Sequence, residues 1–206
     1  VRVRSGMMLK WLERYWPMST LFLAVYVTML SMLFVLRSDF PLFLIWAQLP
    51  VYFLHQFEEY VFPGGFKEFF NTKVLGSPVA AEPLNARVSM LINVPIVYVA
   101  FPISAVLSTT VSLTFGLWMA YFSVINALSH VVIFAKLGYN PGFIVSLLLN
   151  IPVGIYTIVY LSTHGLVAPT VHLVSAGIGL AVQAGLMIYG FGVLKPRLRT
   201  AASTGY

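Results

Sequence analysis

The chain of 206 residues contains no cysteine. Disulfides, thiolate metal sites, iron–sulfur clusters and S-acylation are excluded at once. Charge is scarce as well. Only 9% of residues are charged, against about 25% in an ordinary soluble domain, too few to cover a surface facing water. No polar stretch is long enough for a separate soluble domain, so one integral membrane domain is expected over 1–206. Acids are scarcest of all, 6 Asp+Glu against 12 Lys+Arg, a net charge of +6. In a soluble protein that excess would suggest nucleic acid. Here it is read as membrane topology, with no nucleic-acid partner.

What the chain has in quantity is apolar sequence: 59% hydrophobic residues, 15% aromatic. Six apolar segments stand out, at 17–36, 41–60, 88–108, 111–135, 142–162 and 169–194. Each is close to the ~20 residues that cross the hydrocarbon core. The runs are continuous rather than alternating, which favours helices over barrel strands. The basic, then apolar N-terminus superficially resembles a signal peptide. Its apolar run is long enough to span and no small-residue cleavage site stands out, so it is read as a retained first helix. The expected fold is all-α, a polytopic membrane protein built as a bundle of six transmembrane helices.

Basic residues give the orientation. Arg2, Arg4, Lys10 and Arg14 precede the first segment; Lys67, Lys73 and Arg87 lie between the second and third. Lys136 follows the fourth, and Lys195, Arg197 and Arg199 follow the sixth. In a six-span topology all of these share one side, and only Arg37 falls on the other. By the positive-inside rule both termini are cytoplasmic. The outer loops are very short, so helices should pack as antiparallel neighbours. The longest loop, 61–87, is then cytoplasmic. Its "FPGGFKEFF" breaks the helix at Pro-Gly-Gly, and its aromatic end suits the membrane interface. The two three-helix halves do not mirror each other in polar residues or breaks, which argues against an inverted-repeat transporter.

Within the spans, "LHQFEEY" places His55, Glu58 and Glu59 at i, i+3 and i+4, on one helical face. Two adjacent carboxylates at low dielectric repel, and one stays protonated unless a cation sits between them. A bound metal or a proton-transfer role would resolve that conflict; a solvated helix end in the headgroup zone is the plain alternative. The fourth segment carries Asn126 and His130, again i, i+4. His130 stands six residues before Lys136, and His55 stands five before Tyr60. The two histidines therefore reach similar depth beneath the cytoplasmic surface. A common site follows, with His55, Glu58, Glu59 and His130 as metal ligands and Glu58, Glu59 and Asn126 as catalytic candidates. Asn93 and Asn150 either line the same cavity or bond across helices. Tyr139, Asn140, Pro141 and Gly142 form a turn near this surface, and Glu82 and Asn85 lie in the long loop. His164 and His172 flank an outer loop, with no function assigned. Pro95, Pro102 and Pro152 are expected to kink their helices. No lysine lies at mid-membrane, which argues against a retinal Schiff base.

"HQFEE" followed by "YVFPGGF", with "NALSH" and "YNPGF" downstream, resembles the HXXEE-motif family of small bacterial multi-pass membrane proteins, over roughly residues 40 to 160. The resemblance implies a bacterial inner (plasma) membrane location and singles out the motif residues. The family has no settled activity, so it supplies no reaction. A second, weaker similarity is to membrane proteases of the CAAX-processing type, through Glu58-Glu59 and Phe122-x-x-x-Asn126. The arginine expected four residues after the second glutamate is absent, Pro63 standing there, and the second histidine motif is missing.

Three functions compete at this stage. The first is a membrane-embedded metalloenzyme, with zinc or iron, acting on a lipid-like or hydrophobic substrate from the cytoplasmic leaflet. A di-iron centre would need a further carboxylate, such as Glu82. The second is a metal-free hydrolase with Glu58 or Glu59 as general base and His130 or Asn126 at an oxyanion. The third is a transporter, lipid-binding or assembly subunit. The bilayer is a partner in each, and self-association into an oligomer is compatible with all three.

Overall fold

A computed structural model describes residues 2–198, with side chains from residue 7 onward. Arg199 lies outside the described residues, as do the side chains of Arg2 and Arg4. The described chain is all helix and turn, without strands. Five helices are long and apolar enough to cross a membrane: Met7–Phe34, Ala86–Thr110, Leu113–Leu137, Phe143–Thr163 and Pro169–Leu198. The shortest, at 21 residues, is about 32 Å long at about 1.5 Å per residue, enough for a core of about 30 Å.

The elements are α1 (Arg2–Tyr15), α2 (Thr20–Phe34), α3 (Phe40–Trp46), α4 (Gln48–Tyr60), α5 (Phe66–Phe69), α6 (Ala86–Asn93), α7 (Phe101–Thr110), α8 (Leu117–Leu137), α9 (Phe143–Val145), α10 (Ile151–Thr163) and α11 (Pro169–Ile188). The expected first span begins earlier than its apolar run, because α1 continues into α2 through a tight turn at Trp16–Ser19. Pro17 opens that turn without needing a donor. The Trp16 carbonyl there accepts from the Ser19 hydroxyl at 2.8 Å and from the Tyr98 hydroxyl at 2.9 Å.

The second expected segment, 41–60, is the one that is not among the five long helices. It breaks at Ala47 between α3 and α4. Pro50 has no N–H, and its ring crowds the carbonyl four residues back, that of Trp46. Pro95 and Pro152 instead stand beside widened turns of their helices. The Phe101 N–H reaches back five residues to Ile96 after Pro95, and the Ile151 N–H to Ser146 just before Pro152. Such π-turns absorb a missing donor without ending the helix.

Helix α8 is the centre of the bundle, in contact with α4, α10 and α11. The contact with α11 is backbone to backbone. A Cβ on Gly179 would sit 2.8 Å from the Phe122 amide nitrogen, so only glycine permits the approach. Around this axis Tyr52 stacks on Phe122 at 5.4 Å and meets Phe101 edge-on at 5.1 Å, with Ile45, Leu117, Met119 and Leu161 completing the core. Polarity is inverted relative to a soluble protein. Large apolar side chains such as Phe22, Phe34, Leu173 and Ile188 face outward, while Gln48, Gln56, Ser123, Asn150 and Thr157 are buried. Their contacts run between helices: Gln48 donates to Thr157 at 2.9 Å and Asn150 to Ser123 at 2.8 Å. That is the use of polar groups expected where the surroundings are lipid.

The long loop folds inward. Asn71 is fully buried and ties the loop to itself, donating to the carbonyls of Ala80 and Leu84 and accepting the Leu84 N–H at 2.9 Å. Phe70, Leu75 and Leu84 then pack on Leu194 as a second, smaller core. The aromatic end of "FPGGFKEFF" thus covers the bundle end rather than spreading in the interface, because Phe66 and Phe70 find apolar partners there.

Candidate metal centre

The site is built on the last two turns of α4, the last third of α8, and the turn between α8 and α10. His55, Glu59 and His130 converge, all three buried. Glu59 Oε1 lies 3.6 Å from His55 Nε2 and 3.5 Å from His130 Nε2. The two imidazoles meet edge-to-face with centroids 4.8 Å apart. The matched depth of the two histidines in sequence is therefore a real contact. One ligand atom from each residue lies within 4.8 Å of the others, so the group can hold a metal ion.

What turns the Nε2 atoms toward Glu59 is the segment 139–146. Asn140, fully buried, donates from Nδ2 to the His130 carbonyl at 3.1 Å, which fixes its amide; its Oδ1 then accepts from His130 Nδ1 at 2.6 Å. His130 is thereby held as the tautomer whose Nε2 lone pair is free, the arrangement seen in ligating histidines. Ser146 Oγ lies 3.3 Å from His55 Nδ1, a pair in which either atom can be the donor. Between them stands Gly142, with φ +96°. A Cβ there would come within 2.8 Å of His130 Cε1, 2.9 Å of His55 Cε1 and 3.0 Å of Glu59 Cγ. The turn lies directly on the three-residue cluster, and it can do so because it has no side chain at this point.

Glu58 is placed differently from its neighbour. Its Oε1 accepts from the Tyr139 hydroxyl at 3.0 Å and from the Ile144 N–H at 3.1 Å, and its Oε2 accepts from the Val145 N–H at 2.7 Å. It satisfies free amides at the start of the helix that opens at Phe143, and it is not one of the three converging groups. Tyr139, outside the spans, has its phenol pushed up to about 12 by burial and then by the Glu58 carboxylate. It stays a donor through the physiological range.

A cavity of about 90 Å³ opens beside the cluster, walled by Glu59 and His130 together with Tyr60, Phe66, Phe70, Asn93, Asn126, Ile133, Gln183 and Leu186. Asn126 is in this wall, one turn from His130, and its Nδ2 donates to Gln183 Oε1 at 3.1 Å. Asn93 also lines it, accepting from Gln56 at 2.9 Å and donating to Tyr60 at 3.0 Å. Asn150 does not; it serves α8 through Ser123. Glu82 stays outside, exposed, where it accepts from the Asn85 amide, while Asn85 caps α6 by accepting the Val88 N–H. A second carboxylate from the loop is thus not supplied. At the opposite end of the bundle, His172 Nδ1 pairs with the Tyr121 hydroxyl and His164 Nδ1 lies 2.9 Å from the Tyr160 carbonyl.

Residues 46–157, more than half of the chain, match the family described as proteins of unknown function with an HXXEE motif. His55, Glu58 and Glu59 supply that motif, and the matched span also contains Asn126, His130, Asn140, Gly142 and Ser146. No curated protein and no solved structure matches the chain. The chain belongs to the HXXEE-motif family.

Proposed function

We propose that the protein is a membrane-embedded, metal-dependent enzyme acting on a lipid-like or hydrophobic substrate at the cytoplasmic side of a bacterial inner membrane. The observation that carries this reading is the convergence of two imidazole Nε2 atoms on one carboxylate oxygen, with both Nδ1 atoms already engaged. Separations of 3.5 and 3.6 Å are long for hydrogen bonds. They are near the edge, about 3.4 Å, of a tetrahedron with bonds of about 2.1 Å, the length of zinc–nitrogen and zinc–oxygen bonds. Two histidines and one glutamate leave a fourth position for substrate or water, as catalytic zinc sites do, and iron is the second choice for the same donor set. The ion would supply Lewis-acid chemistry. His55, His130 and Glu59 hold it, Glu58 positions the covering turn, and the cavity beside Glu59 and His130 receives the substrate.

The topology we favour has six spans, with Phe40–Tyr60 as the second and both termini cytoplasmic. Contacts at each end of the bundle support it. Glu13 meets Arg87 at one end, while Trp46 meets Thr109 and Phe40 meets Tyr160 at the other. Each pair joins residues that a six-span topology puts on the same side.

Elemental analysis of protein purified in lipid nanodiscs tests the function. About one zinc or iron per chain is expected, lost in His55→Ala, His130→Ala and Glu59→Gln. Folded wild-type protein that takes up neither metal would sink the proposal. A metal-free hydrolase is the competing chemistry. Since Glu58 already accepts three hydrogen bonds, its general base would have to be Glu59, and activity surviving chelation but not Glu59→Gln would select it.

A further inference from the structure

Asn126 and Gln183 face each other across the cavity between α8 and α11, and their hydrogen bond uses only half of each amide. Asn126 Oδ1 and Gln183 Nε2 are left buried without a partner. Gln183 itself is 6% exposed and lines the cavity. The orientation of either amide is an assignment, but the remainder does not depend on it. One bond between two amides consumes a donor group on one and an acceptor on the other, and always leaves one of each. A buried donor and a buried acceptor without partners each cost stability. A ligand that supplies both at once removes that cost.

The rest of the wall narrows the ligand. Among the described residues it contains no lysine or arginine, and its one carboxylate is Glu59. An ionised carboxylate or phosphodiester head offers acceptors alone, so it would leave the unpaired amide oxygen buried without a partner. Ile133, Leu186 and Met187 supply the apolar remainder. We propose that the Asn126–Gln183 pair is the head-group site for a single-chain amphiphile whose uncharged head both donates and accepts a hydrogen bond, a hydroxyl or a primary amide. This deepens the reading above and rests on it only in taking the bound amphiphile to be the substrate. Asn126 and His130 are four residues apart on one helix, about 6 Å along the axis. A head held by the pair therefore places the next atoms of its chain beside the three converging ligands.

The test uses the full chain in lipid nanodiscs with a diazirine-bearing long-chain alcohol, the matched primary amide and the matched fatty acid as photoprobes. Peptides of α8 and α11 should be labelled by the alcohol and the amide at least tenfold more than by the acid, and unlabelled 1-decanol should compete. Asn126→Leu/Gln183→Met should lose that labelling at least fivefold, keep its metal and melt no lower than wild type, because it removes both partners of the one bond together with the two unpaired polar atoms. Gln183→Met alone is the second variant: it should lose the labelling and keep its metal, but melt lower than the double variant, because the Asn126 amide is left with no partner. Equal labelling by acid and alcohol, unchanged labelling in either variant, or a melting temperature of the double variant clearly below wild type would overturn the proposal. Selective labelling of a protein that binds no metal would leave this site standing and remove the catalytic reading; metal without selective labelling would do the reverse.

Discussion

Changing Glu58 to glutamine would leave an acceptor near the amides of Ile144 and Val145 while removing the charge that strengthens all three of its bonds. A destabilisation of about 1–3 kcal/mol is expected by thermal melting, with metal retained. The same change at Glu59 should abolish metal binding, with a smaller effect on melting when the wild type it is compared with is also stripped of metal. Equal metal loss in the two variants would mean that the neighbouring glutamates share one function. At Gly142 the test is steric. Alanine must adopt φ near +96° and place its methyl within 3.0 Å of all three cluster residues. A loss of metal affinity of about 10- to 100-fold is expected, the size usual when the partners orienting metal ligands are disturbed; wild-type affinity in Gly142→Ala would refute the close packing described. Tyr139 adds a pH dependence. Its phenol rises from 10.0 to about 12 in the folded protein. A raised pKa favours the protonated form, so its contribution to stability is complete below about pH 10 and fades as pH rises through 12. Tyr139→Phe should flatten that alkaline limb of the melting profile.

At the scale of helices, the absence of cysteine makes topology directly measurable. Single cysteines at Ser38 and Ala81, both exposed, bracket Phe40–Tyr60. If that segment spans, a membrane-impermeant maleimide applied to intact cells should label Ser38→Cys, and Ala81→Cys only after lysis. Labelling of both from outside would place the segment on the surface. Much of this level was legible in sequence. The five long helices were, because continuous apolar runs require nothing beyond helical period and lipid. The pairing of His55 with His130 was legible too, since depth along a helix is simple arithmetic from its charged end. The division of labour between Glu58 and Glu59 was not. Positions i+3 and i+4 from His55 both share its face, and what separates them is where the turn 139–146 docks, a tertiary fact. Asn140 and Ser146 were hidden for the same reason, although "YNPG" marked the turn. Gln183 carried a readable signal, a lone amide in an apolar helix, whose burial called for a partner. Spacing along the chain does not say where Glu82 in the long loop folds; its bond to Asn85, which caps α6, holds it outside the site.

For the molecule as a whole, an ion bound only to the folded state adds stability by mass action, about 2.7 kcal/mol at a hundred times its dissociation constant. Chelation should therefore lower the melting temperature of wild type and leave His130→Ala unchanged; an identical shift in both would point to metal bound elsewhere. The turn that covers the cluster adds one more consequence. Three separate anchors hold it, Asn140 on His130, Ser146 on His55, and the Ile144 and Val145 amides on Glu58. Two of those anchors are the outer faces of the proposed ligands, so occupancy and docking of the turn are thermodynamically linked, and each must strengthen the other by the same factor. The amides of Ile144 and Val145, which never touch the ion, become reporters of it: their hydrogen exchange should slow on metal addition by the factor through which the docked turn tightens metal binding.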